Sequence, residues 1–406
     1  MLQAIVISVT TLAALVLLML PRVRKAPVWR ATVTPLASII GSGFLVLGPI
    51  LSHSYGEYAP LVMALLCLAA YAFGSAIRFN IHNIAGNPRR SRPERRTEGA
   101  ASWALAFAYC ISVAYYLNLF GAFAVKMTPF NSPAIAKGVT SATLILILLV
   151  GWLRGFSAME RMEQITVSLK LAIIAGLLAG LSIYFVRQAG QDALVFSPPP
   201  ETGWTAVTLA FGLIITVQGF ETSRYLGDEY KPPLRIRSMR YSQWLSTLIY
   251  MAYVLLLTYA FDAKSVPLTE TAIVDMMKIV SMVLPILLIV AALSAQFSAA
   301  IADTSGAGGL VAELSEGRIP TRVAYLILVL IGLGLTWFAH IFEIITYASK
   351  AFAFYYALQC AIAAFGAFRE AKRPMRGVLY GVFCAVAVAI LFFGQPVEGS
   401  NGPGGS

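Results

Sequence analysis

Residues 38–44 read SIIGSGF, inside a run that is otherwise apolar and long enough to cross a bilayer. A helix interior disfavours each glycine by about 1 kcal/mol relative to alanine, yet Gly41 and Gly43 flank Ser42 at what would be mid-membrane depth. Opening a helix bares backbone N–H and C=O groups, and lipid offers them no partner. A break is therefore tolerated where the freed groups face a cavity or a ligand. The plainer use of a Gly-x-Gly pair is close contact between two helices.

The surrounding chain sets the solvent. It has 406 residues, 58% of them apolar and 12% charged, with a mean hydropathy of +0.76, far outside the soluble range. Spans of about 20 apolar residues, the length a ~30 Å hydrocarbon core requires, fall near 2–20, 32–51, 60–78, 101–125, 139–155, 164–187, 205–225, 241–261, 277–302, 322–341, 343–368 and 377–394. The expected fold class is an all-α polytopic membrane protein of about 12 transmembrane helices. The first span lacks a basic start and a small-residue cleavage site, so it reads as an uncleaved helix.

The net charge of +11 would suggest nucleic acid in a soluble chain, but here it follows from topology. Alternate loops carry 23 and 5 basic residues, with Lys170 and Lys350 left inside spans. The rich loops are expected in the cytoplasm, with both termini outside and the protein in the plasma (inner) membrane. Cys67, Cys110, Cys360 and Cys384 lie in apolar runs without metal-ligand spacing and read as packing residues. His53, His82 and His340 have no catalytic or metal-ligand neighbours in sequence, so an enzyme is not expected, and no metal or cofactor is implied.

A second interruption occurs at Gln218 and Gly219 in VTLAFGLIITVQGFETSRYLGDEYKPP. It lies five spans after the first and its helix runs the opposite way. That pairing fits a five-plus-five inverted repeat with discontinuous helices 1 and 6, a pattern that points to the binding site of a transporter. On this reading residues 1–30 are an extra N-terminal helix and a basic loop, 31–190 the first repeat, 191–370 the second, 371–395 an additional helix and 396–406 a flexible tail. The half-helix beginning near Ser42, Gly43 and Phe44 would turn its positive end to a carboxylate, and the one ending near Phe211 to Ile215 its negative end to an ammonium group. Ile40, Gly41, Ser42, Gly43, Phe44, Phe211, Ile215, Gln218 and Gly219 are the candidate substrate-binding residues. Tyr109, Tyr115 and Tyr116 are aromatic candidates for the same pocket, with ordinary packing as the simpler role.

These motifs resemble the amino acid-polyamine-organocation (APC) superfamily of transporters over roughly residues 31–395. PLASIIGSGFLVLGPIL resembles the family's first core helix, and LRGFSAMERMEQITVSLKLAII its helix 4 to helix 5 signature. GFETSRYLGDEYKPPLRIR resembles the end of helix 6, and ADTSGAGGLVAELSEGRIP the end of helix 8. Ile215 stands where many exchangers carry a gating aromatic, and Gly308 replaces the usual helix 8 arginine. The resemblance implies a secondary transporter of a small amino acid or related zwitterion, working by alternating access, sodium-independent, and either proton-coupled or exchanging. The alternatives are an inorganic ion carrier of the cation-chloride type and a solute sensor that does not transport.

Ionisable residues inside spans are functional candidates by default. Lys170 matches the helix 5 lysine that takes the place of sodium in sodium-independent members, where its ammonium would bond the helix 1 carbonyls. Snorkelling to the nearer interface is the bland alternative. Asp303 is expected to pair with Lys170, or to form a weak cation site with Ser298 and Thr304. Glu221 would either sense protons or simply cap the inner half of helix 6. A proton is accordingly the coupling ion considered. Lys350 and Glu343, seven residues apart, suggest an outer network.

Overall fold

A computed structural model of the protein describes residues 2–41, 43–86, 92–153, 160–226, 230–262, 267–369 and 373–397. Among them α1 (Leu2–Met19) and the short α2 (Pro21–Arg24) lead into α3 (Pro27–Ile39) and α4 (Gly43–Tyr55). A 3₁₀ turn, Gly56–Tyr58, joins α4 to α5 (Ala59–Gly86), followed by α6 (Arg92–Val125), α7 (Pro133–Leu153) and α8 (Glu160–Ala189). The second interrupted segment is α9 (Gly203–Gly212), a 3₁₀ stretch (Ile214–Val217) and α10 (Thr222–Tyr225). The remaining helices are α11 (Pro232–Ala260), α12 (Ala272–Val280), α13 (Leu284–Leu314), α14 (Thr321–Phe338), α15 (Ile341–Arg369) and α16 (Pro374–Phe393).

The chain is thus an all-α polytopic membrane protein. Nine stretches among the described residues are long and apolar enough to span a bilayer, the bent pair α4–α5 counting as one. The other expected spans fall short for visible reasons: α1 is slightly brief, and α3–α4 and α9–α10 are interrupted. Proline opens α2, α3, α11, α13 and α16, where its missing N–H would have had no partner anyway. Gly56 makes the sharp corner between α4 and α5 with φ +51°, and a Cβ there would stand 2.3 Å from the Ser197 carbonyl oxygen.

One expected span is corrected. The stretch 277–302 is not a single helix, because Ser281 is extended (φ −163°, ψ 142°) and separates α12 from α13. Pro285 opens α13, since a residue without an N–H starts a helix more readily than it continues one. From there α13 runs on to Leu314, beyond the expected end.

Helix α6 is the hub, packed on α13 and α15. Helix α5 packs on α11, α7 on α14, α15 on α16, and α1 lies along α8. Helix α3 rests on α11 and α8, while the 3₁₀ stretch of the second break touches α15, α4 and α5. The two interruptions are therefore brought together at the centre of the bundle.

Candidate functional site

At the first break the helix ends at Ile39, Ile40 leaves helical geometry (φ −85°, ψ 54°), and α4 restarts at Gly43. At the second, α9 ends at Gly212, the chain tightens to 3₁₀, and Gln218 extends (φ −81°, ψ 173°) before Gly219 turns at φ +118°. The breaks touch. A Cβ on Gly43 would lie 2.8 Å from Thr216 Cα, and one on Gly219 would lie 2.4 Å from Ser38 Cβ and 2.6 Å from Ile39 N. Both contacts are to backbone or to a Cβ fixed on it, so these glycines serve close approach and, at Gly219, conformation as well.

The bared carbonyls have specific partners. The Tyr250 hydroxyl on α11 lies 2.9 Å from Ile39 O and 2.6 Å from Thr216 O, bridging the two breaks. Ser349 on α15 donates to Gly212 O at 2.7 Å and accepts from Ile215 N at 3.1 Å, stitching the second break across the missing helical turn. Lys170 Nζ donates to Ala37 O at 2.8 Å with its residue 4% exposed. The lysine therefore reaches the last turn of α3, not the membrane interface. Beyond α16, Gln395 N donates to Thr208 O at 3.0 Å, and its carbonyl sits so close to Gly212 that a Cβ there would be 2.1 Å away.

Glu221 follows the second break and is fully buried. Its Oε2 accepts from Gly219 N at 3.0 Å and from the Tyr356 hydroxyl at 3.1 Å, while Oε1 has no hydrogen-bond partner among the described residues. Tyr356 stacks on Phe73 and Phe220, which fixes that hydroxyl. Gln218 donates to the Tyr116 hydroxyl at 3.0 Å, and its own Oε1 is likewise unpartnered. Asp303, buried on α13, accepts from Ser112 on α6. The expected Lys170–Asp303 bridge is thus replaced by two separate interactions. Asp303 and Glu221 both lie within electrostatic reach of Tyr109 and Tyr116, so α6 connects the two carboxylates.

Other candidates are placed as follows. Phe44 is buried against Tyr253 and Tyr250, with ring centroids 4.4 and 5.4 Å away. Ile40, Gly41 and Ile215 are buried at the breaks, and Phe211 is half-buried in the last turn of α9. Ser42, the central residue of the first motif, lies outside the described residues, as do 154–159 of the helix 4 to helix 5 signature and residues 398–406 of the tail. The cation set Ser298, Asp303 and Thr304 does not converge: Ser298 and Asp303 are five residues apart, about 140° around a helix, and the Thr304 hydroxyl donates to Ala300 O at 2.6 Å. The outer Lys350–Glu343 network is also not formed, because Glu343 accepts from His340 N at 2.7 Å and caps its own helix. Lys350 shares a face of α15 with the exposed Tyr347 and Phe354, away from the face that carries Ser349 and Tyr356.

Sequence reasoning missed Tyr250, Ser349, Ser112 and Tyr356. Each sits in an uninterrupted helix without a motif of its own. Ion pairs stand at the two ends of α6. Arg224 on α10 meets Glu98 on α6 at 2.5 Å, Arg235 Nη1 donates to Arg224 O at 2.6 Å, and the Tyr225 and Tyr355 hydroxyls lie 3.4 Å apart. At the opposite end Lys126, following α6, meets Asp275 on α12 at 2.6 Å, and Lys278 joins the same carboxylate at 2.8 Å.

Comparison with known proteins agrees with this geometry. The chain is 39% identical over 387 residues to an uncharacterized protein of Aquifex aeolicus (strain VF5), covering 93% of each. Residues 21–394 match the family profile of an APC superfamily transporter. With two unwound helices meeting mid-bundle and a profile that spans nearly all of the helical chain, the protein belongs to the APC superfamily of transporters.

Proposed function

We propose that this transporter moves a small amino acid or related zwitterion by alternating access, without sodium, driven by a proton or by exchange. The contact of the two breaks carries the reading. At Gly43 a half-helix begins with its N–H groups toward the site, and at Gly212 another ends with its carbonyls toward it. A carboxylate and an ammonium group have opposite needs, and the two ends answer them separately. Packing of α5 on α11, α6 on α13 and α7 on α14 pairs each helix with the one a five-plus-five repeat would place five core helices later. That supports the division at 31–190 and 191–370, and the basic-loop count supports cytoplasmic placement of the Arg224 end.

In this mechanism the Arg224–Glu98 and Lys126–Asp275 pairs lie at opposite mouths and break in turn. Lys170 stands in for a cation beneath α3, and its proton inventory couples to movement of that half-helix. Glu221 and Asp303 provide a second protonatable pair, and the lack of a basic partner on Asp303 among the described residues is what favours the ion-carrier alternative.

Uptake into proteoliposomes of a panel of labelled amino acids, with and without sodium and with an imposed pH gradient, tests the reading. Sodium-independent accumulation of a zwitterion supports it. Flux of inorganic ions alone would select the ion carrier, and binding that never becomes flux would indicate a sensor.

A further inference from the structure

We propose that the arginines where α11 and α16 adjoin α5 bind the phosphate headgroup of an anionic phospholipid. Arg78 on α5 is 6% exposed, and a guanidinium taken from water is costly unless negative charge answers it. Its partners here are all neutral. Arg78 donates to Gln243 Oε1 on α11 and, at 3.3 Å, to Tyr71 O, and it stands 4.5 Å above the Tyr71 ring. Gln243 donates in turn to Ala70 O at 2.8 Å, so the guanidinium is held in position.

Three more arginines stand on the two helices that adjoin α5 here. Arg240 on α11 is within electrostatic reach of Arg78. Arg373 and Arg376, at the start of α16, are within reach of the Tyr380 hydroxyl, as is Arg78 itself. The rings of Phe79 and Tyr380 lie 5.3 Å apart and fasten α16 beside α5. Among the described residues none of these four arginines forms an ion pair. The side rule for basic residues accounts for the exposed Arg240, Arg373 and Arg376. It does not account for Arg78, because a solvated anchor has no use for a guanidinium buried in protein.

An anion held here would have apolar surface beside it. Helix α5 exposes Leu68, and α16 exposes Val378, Leu379 and Val382. Ten residues separate Leu68 from Arg78, about 15 Å of helix, or one leaflet of a ~30 Å core. A phosphate with acyl chains matches both the donors and the apolar surface.

The test uses the purified full-length protein in neutral detergent, offered phosphatidylglycerol, phosphatidylcholine or inorganic phosphate, with retained ligands counted by native mass spectrometry. Phosphatidylglycerol is expected to be retained in preference to phosphatidylcholine, and Arg78→Gln to lose that preference. The double variant Arg373→Gln/Arg376→Gln, at exposed positions that leave packing intact, should weaken retention by about fivefold per arginine. If Arg78→Gln does not fold, the double variant decides alone. Equal retention of the two lipids, unchanged retention in the double variant, or displacement of phosphatidylglycerol by inorganic phosphate without lipid preference would each overturn the assignment.

Discussion

Gly43 and Thr216 meet where two unwound membrane segments cross, and a Cβ on Gly43 would stand 2.8 Å from Thr216 Cα and 2.9 Å from its Cβ. Neither neighbour is the end of a flexible side chain, so Gly43→Ala must push the breaks apart. Overpacking of this kind costs about 1–3 kcal/mol. Expected are a lower unfolding temperature in detergent and uptake reduced at least about fivefold, the factor that ~1 kcal/mol corresponds to. Wild-type stability and uptake in Gly43→Ala would show that the contact plays no part in the transport cycle.

Lys170→Ala removes the donor to Ala37 O and leaves a carbonyl of α3 without that partner. The expected result is lost or pH-insensitive transport by a protein that still folds, as judged by size-exclusion behaviour and helical circular dichroism. A variant that transports with unchanged pH dependence eliminates Lys170 as the coupling group.

Ser349→Ala deletes both the donor to Gly212 O and the acceptor for Ile215 N. Two buried backbone groups then lose their partner, at about 1–3 kcal/mol each. Thermal unfolding should register the loss, whereas Ser349→Thr, which keeps the hydroxyl, should recover part of it. Equal effects from the two substitutions would point to volume, not hydrogen bonding.

Asp275 sets a pH limit on the ion pairs it forms with Lys126 and Lys278. Partial burial acts to raise its pKa, but hydrogen bonds from Lys126 and Lys278, with their charges, outweigh this and hold it below the ordinary carboxylate value. A depressed carboxyl contributes stability above its unfolded pKa of about 3.9 and loses it as pH falls through the folded value. Stability scans from neutral pH downward should show an acid-side loss that Asp275→Asn lacks. Because the group is about one-third exposed, the effect should be modest and shrink in high salt.

Both interruptions are legible in the sequence because they come as a pair: SIIGSGF and VQGFE fall five spans apart on helices of opposite direction, which simple helix contact does not require. The positions of Gly43, Gln218 and Gly219 follow directly. The groups that satisfy the breaks are not legible, because Tyr250 and Ser349 occupy regular helices and act only through tertiary distance. Carboxylate pairing fails for a related reason. Charge alone suggested Lys170 for Asp303 and Lys350 for Glu343, whereas the fold gives Asp303 a serine hydroxyl and Glu343 a backbone N–H. The division at Ser281 is missed because hydropathy remains high through the residues where the backbone extends.

The segment after α16 has a mechanical consequence. Gln395 is hydrogen-bonded to Thr208 and lies flush against Gly212, so the segment after α16 is stapled along α9, the first half of the second broken helix. Any tilt of α9 must then either drag the peripheral α16 along or tear this staple open, which makes an outlying helix a passenger, or a brake, in the stroke of the central one.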